Sequence, residues 1–247
     1  MIGISIELAS GNIWNFNNLR LEIIGRDLHM RCYFIRHGET AGNTQLHFNG
    51  CRTDEPLTES GKAKLCRIND VPDGALLFTS PMIRARETAS IMLPQLEQRV
   101  IENLKEMDFG RFEGKNHAML DGDPEYQAWL DSGGSMRIPG GETLEEVGAR
   151  VAGAVMQAYK EASARGAGTM YIVAHGGTIM AAMGVLTGEK YYEFNSPNGA
   201  GYVTELEETD AEFGLAATSY DRFCGGLRAG LAAWRPPRYT SSGDLGW

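Results

Sequence analysis

The chain has 247 residues, of which 43% are hydrophobic and 22% are charged, as in a globular protein large enough for one α/β domain. Its formal net charge is −9 at pH 7 without a long basic run, so neither nucleic acid nor an anionic membrane surface is an expected partner. The cysteines show no CxxC pair or zinc-ligand spacing, the N-terminus lacks the basic region of a signal peptide, and no apolar run is long enough to cross a bilayer. We therefore expect a cytoplasmic protein with no metal and no cofactor.

Residues 1–29 differ from the rest of the chain because they show no clear periodicity, and their status stays open between two interpretations. In the first, translation begins at Met30, since Gly25-Arg26 can be encoded by the purine-rich GGA-AGG a few codons upstream, where a bacterial ribosome-binding site would lie. In the second, the leader is a real extension that is disordered or packs on the domain.

From residue 31 onward, β-prone and helical segments alternate. Four short and mostly apolar runs predict strands, at 31–35, 75–78, 170–174 and 201–206. Four segments between or beside them have helical spacing or helix-start signals, at 58–68, 83–93, 142–164 and 177–186. This alternation predicts an α/β fold, a three-layer sandwich with a mostly parallel central sheet and helices on both faces.

The domain organisation is indicated by where this alternation is interrupted. We expect one catalytic domain over residues 30–218 and a loose tail over residues 219–247, where the pattern fades. Within the domain, residues 110–141 are rich in Gly, Asp and Ser with a small helical patch at 126–130, which is typical of an insertion that covers an active site.

Three predicted strand ends carry residues suited to phosphate chemistry. The first strand runs into Arg36-His37, and the strand at 170–174 runs into His175-Gly176, followed by a helix. The strand at 75–78 leads to a helix whose first turn contains Arg84. Ligands of open α/β sheets bind at the carboxyl ends of strands, and a helix N-terminus favours an anion. We expect these side chains to converge on one anion-binding site.

This set of side chains matches what phosphoryl transfer requires. Arginine forks bind the non-bridging oxygens, and a neutral imidazole can attack phosphorus and divide one difficult step into two. A carboxyl group must then protonate the leaving oxygen and later deprotonate water. Since no metal-ligand cluster is evident, the arginines and the second histidine would do what magnesium does elsewhere.

Several motifs, in the same order, resemble the histidine phosphatase, or phosphoglycerate mutase-like, superfamily. They are RHGET at 36–40, GCRTDEPLTESG at 50–61 with one extra residue before the Asp, SPMIRARETA at 80–89, LKEMDFGRFEG at 104–114, PGGET at 139–143 and VAHGG at 173–177. The resemblance covers residues 30–210 approximately. It implies an α/β fold and catalysis through a phosphorylated histidine.

The resemblance also assigns roles by position. It makes His37 the nucleophile, Glu106 the proton donor and His175 the second pocket histidine, with Arg36 and Arg84 clamping the phosphate. Further contacts that it implies are Asn43, a polar pocket residue, and Thr40, Arg52 and Gly176 at the substrate. Two other carboxyl groups stay open as the acid, Asp108 and Glu113, and Lys115 or Arg137 could reach a substrate from the cover.

The resemblance implies a phosphomonoesterase acting on a small phosphorylated metabolite. The compact core and the FGRFEG and PGGET segments are similar to those of α-ribazole phosphatase-like and broad-specificity phosphatases. Two alternatives remain, a cofactor-dependent phosphoglycerate mutase and an inactive module that binds a phosphorylated ligand. The identity of the metabolite and the oligomeric state stay open.

Overall fold

A computed structural model describes residues 30–210 and 213–224 of the chain. Its central sheet has six strands in the order β3-β2-β4-β1-β5-β6. The strands are β1 Met30–Arg36, β2 Leu76–Thr79, β3 Gln98–Val100, β4 Thr169–Ala174, β5 Gly201–Glu208 and β6 Leu215–Phe223. The pairs β2–β3, β2–β4 and β1–β4 are parallel, whereas β1–β5 and β5–β6 are antiparallel. The predicted mostly parallel sheet is thereby confirmed.

Helices cover both faces of this sheet. They are α1 Ala41–Thr44, α2 Glu59–Lys64, α3 Ile83–Met92, α4 His117–Leu120, α5 Pro124–Asp131, α6 Leu144–Ala164 and α7 Gly176–Thr187. Alternate residues of the central strands point to opposite sides, so Phe34 and Ile172 join the core beneath α6 and α7. Ile35 and Val173 join the smaller core beneath α3. The result is the predicted three-layer arrangement.

The helix boundaries are set by capping residues. At the start of α6, the Thr143 hydroxyl accepts from the backbone N–H of Glu146, while the Glu146 side chain accepts from the backbone of Thr143. This reciprocal cap starts the helix two residues later than its predicted beginning at 142. Helix α2 begins after the Thr58 cap but ends at Lys64, because Leu65 is extended and buried in the smaller core.

Two edge strands were missed by the sequence-based prediction. Strand β3 is only three residues long and carries Gln98 and Arg99, so it lacks the apolar signal of a strand. Strand β6 pairs along the whole of β5 and is mostly exposed, which explains its polar sequence. The loose tail was expected to begin at residue 219, but residues 219–223 belong to β6. The leader 1–29 and residues 225–247 lie outside the described residues.

The segment 110–141 packs into the larger core of the domain. It contains α4 and α5, and α5 begins at Pro124 with Asp123 as its cap. Tyr126 and Trp129 of α5 stack at a centroid distance of 6.0 Å and pack against Phe48 and Phe112.

Over the described residues, no helix is both long and apolar enough to span a membrane.

Candidate active site

His37 directly succeeds β1 in the chain and is almost fully buried, with an exposed fraction of 4%. Its Nδ1 lies 2.7 Å from the carbonyl oxygen of Gly38. Because a carbonyl can only accept, Nδ1 carries the proton and Nε2 keeps its lone pair. Burial, and then the positive charges of Arg84 and Arg36, hold the pKa of His37 well below its ordinary value. His37 is therefore a neutral imidazole whose Nε2 has a free lone pair.

His175 is the residue before α7 and lies with its ring centroid 5.2 Å from that of His37. Its Nδ1 accepts from Arg84 Nε at 3.1 Å, so the other nitrogen, Nε2, carries the proton and donates to the Ser80 hydroxyl at 2.7 Å. Burial, followed by the charge of Arg84, lowers the pKa of His175 well below its ordinary value. If His175 were protonated, its Nδ1–H would point at the Nε–H of Arg84. His175 is therefore neutral in this arrangement and does not supply the positive charge that was expected of it.

Arg84 lies in the first turn of α3 and is fully buried. Besides its bond to His175, the guanidinium donates to backbone carbonyls, those of Asn49, Gly50 and Thr53. Arg84 thereby fastens the loop before α2 to the ends of the strands. Its positive charge stays close to His37, where it lowers the pKa of the imidazole.

Arg36 is the last residue of β1 and the neighbour of His37 in the chain. Its Nη1 donates to the backbone carbonyl of Ser196 at 2.6 Å. Its Nε is buried without a hydrogen-bond partner among the described residues, which is unusual for so strong a donor. The guanidinium lies against Gly176, where an added Cβ would come 3.3 Å from the Arg36 Cζ. Gly176 therefore leaves the room that this side chain occupies.

Glu106 is held at the N-terminus of α7 by backbone N–H groups. Oε2 accepts from Gly177 at 2.9 Å, and Oε1 accepts from Met107 at 2.8 Å and from Thr178 at 3.0 Å. A Cβ on Gly177 would come 2.5 Å from Oε1, so only glycine permits this approach. Acceptance of three backbone donors is the pattern of a carboxylate at a helix N-terminus.

The two alternative carboxyl groups lie elsewhere. Asp108 pairs with the half-exposed Arg52 at 2.7 Å. Glu113 packs beside Gly50, and its burial raises the pKa of the carboxyl group. Neither residue lines the cavity beside His37, whereas Glu106 does.

This cavity has a volume of about 440 Å³. Arg36, His37, Glu106, Gly176 and Gly177 line one part of it, which we call the reactive end. Its apolar lining comes from Leu46, Phe48, Phe109, Met180 and Pro197. Its neutral polar lining comes from Asn43, His47, Asn49, Asn195, Ser196 and Asn198. This volume is within the range of small-molecule sites.

The structure separates the expected contacts into two groups. Asn43 and Gly176 line the cavity. Thr40 does not, because its hydroxyl caps α1 and donates to Glu55 at 2.9 Å. Arg52 does not line it either, since its guanidinium is occupied by Asp108 and by the carbonyl of Gly140. The cover 110–141 was also expected at the site, yet none of these residues, all of which are described, lines the cavity.

The segment 195–200 is a part of the site that the sequence-based prediction missed. Asn198 Nδ2 donates to the carbonyls of His37 at 3.0 Å and Gly38 at 3.3 Å, and to Asn43 Oδ1 at 3.0 Å. The N–H of Gly199 donates to the carbonyl of Arg36 at 3.0 Å. The signal was the turn-forming sequence NSPNG at 195–199, just before a predicted strand.

Within the part of the chain that the structure describes, no group of three or more His, Cys, Asp or Glu side chains is arranged to hold a metal ion. Metal independence stays a prediction.

Comparison of the sequence with known protein families identifies the family of this chain. The model of the histidine phosphatase superfamily (branch 1) matches residues 32–219. The chain belongs to this superfamily. It is an enzyme of the histidine phosphatase family, and the matched region contains the three strand ends that carry His37, Arg84 and His175.

Individual relatives of this histidine phosphatase differ in activity. It is 29% identical over 177 residues to the sedoheptulose 1,7-bisphosphatase of Saccharomyces cerevisiae, a match that covers 59% of this chain and 63%, less than two thirds, of that protein. It is 31% identical over 167 residues to a 2,3-bisphosphoglycerate-dependent phosphoglycerate mutase of Methylobacterium radiotolerans, covering 62% of this chain and 77% of the relative. Among solved structures, the α-ribazole phosphatase of Shigella flexneri matches with a TM-score of 0.61 and 25% identity, over 76% of this chain and 94% of that one.

Proposed function

We propose that this histidine phosphatase hydrolyses a phosphate monoester of a small metabolite through a phosphohistidine at His37. The observation that carries the proposal is the state of the reactive end of the cavity. A neutral His37 keeps the Nε2 lone pair, the neighbouring Arg36 has a buried Nε–H without a partner among the described residues, and Glu106 lines the same cavity.

In the first half-reaction, Nε2 of His37 attacks phosphorus and the bond from phosphorus to the ester oxygen breaks. Arg36 Nε–H donates to the non-bridging oxygens, where negative charge is concentrated. The leaving oxygen takes a proton from Glu106, whose Oε2 has one backbone donor and keeps a lone pair for that proton. The phosphoryl imidazole keeps its Nδ1–H bond to Gly38, which spreads the positive charge of the ring.

In the second half-reaction, Glu106 takes a proton from water, and the hydroxide attacks the phosphorylated histidine. The bond between phosphorus and Nε2 breaks, phosphate leaves, and His37 returns to its neutral state. The carboxyl group thus alternates as acid and base, so no other proton donor is required.

A phosphoglycerate mutase is the alternative that the relatives' names keep open. A mutase must return the phosphoryl group to a second hydroxyl instead of to water, and it starts from a phosphorylated enzyme. The presence of both histidines, both arginines and Glu106 supports an active enzyme over an inactive phospho-ligand module.

The test combines product and intermediate. The full-length protein is incubated with a panel of phosphorylated metabolites in excess chelator, without bisphosphoglycerate, and released phosphate is measured. Rapid quenching under conditions that spare acid-labile phosphate should trap label on His37. Label on a serine or an aspartate, or activity that needs added magnesium or zinc, would contradict the mechanism. Interconversion of phosphoglycerates only after bisphosphoglycerate is added, without phosphate release, would favour the mutase.

A further inference from the structure

The residues that line the cavity indicate which alcohol half of a phosphate monoester can bind there. Among the described residues that line it, Arg36 and Glu106 have charged side chains. The two histidines in the lining are His37, which is neutral, and His47. Arg36 and Glu106 both act at the reactive end, where Arg36 faces the phosphoryl group and Glu106 exchanges a proton. Neither is left to balance a charge elsewhere on the substrate.

Three arginines that do not line the cavity are each paired with a carboxylate. Arg52 pairs with Asp108 at 2.7 Å, and Arg150 pairs with Glu142 at 2.8 Å. Arg137, a contact expected from the cover, pairs with Glu146. These pairs neutralise the guanidinium groups that could otherwise turn toward an anionic substituent.

The remaining lining favours neutral groups. Leu46, Phe109 and Met180 form an apolar wall, and the polar side chains of Asn49 and Asn198 in the lining are uncharged. A carboxylate or second phosphate placed here would lose hydration without gaining a fixed cation, and it would approach Glu106. Uncharged hydroxyl, amide or ring groups have no such cost.

We propose that this enzyme selects monoesters whose alcohol half is uncharged, and that it rejects substrates with a carboxylate or a second phosphate on that half. This inference rests on the proposed phosphatase function. It names the substrate class as phosphate monoesters of neutral alcohols with an apolar part, bound against the wall of Leu46, Phe109 and Met180.

Two aryl phosphates test the charge alone. They are 4-(carbamoylmethyl)phenyl phosphate and 4-(carboxymethyl)phenyl phosphate, which match in size, while the methylene group insulates the ring so that the leaving phenols are similar. For the full-length enzyme, we expect kcat/KM to be at least about tenfold higher for the carbamoyl ester. His47 can carry a proton, so the comparison is repeated with His47→Gln, in which the preference should persist.

A matched pair of variants then adds a charge to the wall. Leu46 is 63% exposed at the cavity rim, so a longer polar side chain fits there without disturbing the core. Leu46→Lys should reduce the preference for the carbamoyl ester about two- to fivefold, as expected for a partly exposed ion pair, and the neutral Leu46→Gln should not. If the wild-type enzyme hydrolysed the carboxylate ester equally well or better, or if His47→Gln lost the preference, the inference on substrate charge would be wrong. The proposed phosphatase function would still stand. Phosphate release from neither ester would contradict the proposed function itself.

Discussion

Two loop-rich regions, residues 110–141 and 195–200, differ in what they contact. Residues 110–141 look in sequence like a cover, yet they pack their aromatic side chains against Phe48 and leave the cavity lining to others. Residues 195–200 look like an ordinary turn, yet they hold the backbone of Arg36 and His37 through Asn198 and Gly199. Composition indicates that a segment is a loop, but hydrogen bonds to the strand ends decide whether it serves the site. Substitutions in and around the two regions test this difference.

The largest effect should come from the residue that the second region supports. His37→Ala is expected to reduce turnover by about 10⁴-fold or more, because the described site offers no other group for in-line attack. Phosphate release at matched protein concentration measures the loss, and circular dichroism checks the fold. Substantial residual turnover with a trapped phosphoenzyme would show that the nucleophile is a different residue.

Glu106 should show a loss that depends on the leaving group. Glu106→Gln is expected to reduce kcat/KM for alkyl phosphates about 10²-fold more than for nitrophenyl phosphate, since the aryl oxygen needs less protonation. The amide must also turn its NH₂ toward one of three backbone donors, so melting temperature is measured in parallel. Equal losses on both substrates would remove Glu106 as the proton donor.

Asn198 provides the direct test of segment 195–200. Asn198→Ala removes the donor shared by two carbonyls and Asn43, and we expect about a tenfold lower kcat with a smaller change in KM. Asn198→Asp, which keeps the shape but puts a carboxylate against the same carbonyls, should lose more. Burst kinetics with an aryl phosphate should show slower phosphorylation of His37 in both variants. A lower melting temperature with an unchanged burst rate would indicate a structural role only.

The cover should show the opposite pattern. Trp129 is 2% exposed, so Trp129→Ala is expected to lower the free energy of unfolding by about 3–5 kcal/mol. Turnover per folded molecule should change less than about threefold, because Trp129 does not line the cavity. Trp129→Phe is the milder control, since the indole N–H has no partner among the described residues. A large loss of kcat in the folded Trp129→Phe protein would restore a catalytic role for the cover.

The smallest effect concerns pH. Burial, followed by the charge of Arg84, lowers the pKa of His37 and His175 well below 6.5, so both rings should stay neutral from pH 8 to pH 6.5. Below pH 6.5 the unfolded chain binds protons at these positions while the folded chain resists them. The free energy of unfolding should therefore decrease as the pH falls from 6.5 toward the folded pKa values.

Histidine NMR measures this protonation directly, with His37→Gln and His175→Gln identifying the two rings. A midpoint at or above 6.5 for either ring would contradict the assignment of a neutral pair.

Much of the fold could be predicted because its signals are local. Strands β1 and β4 contain apolar runs, at 32–35 and 170–174, and α6 carries both a helical apolar stripe and its Thr143 cap. Strands β3 and β6 could not be found in this way. They lie at the two edges of the sheet, where exposed side chains remove the apolar pattern, and their pairing depends on neighbours distant in sequence.

The sequence by itself determined the family, the parallel core of the sheet and the strand ends at which His37 and His175 emerge, since each depends on residues adjacent in the chain. Only the tertiary structure decided how these groups are used. The tautomer of His175 depends on Arg84 and Ser80, and the place of Glu106 depends on the start of α7. These contacts join residues about 70 to 95 positions apart, so no local pattern encodes them. Large sequence separation also explains the two errors at the cavity. The contacts that bring segment 195–200 to His37, and those that keep segment 110–141 out of the lining, cannot be seen in local sequence.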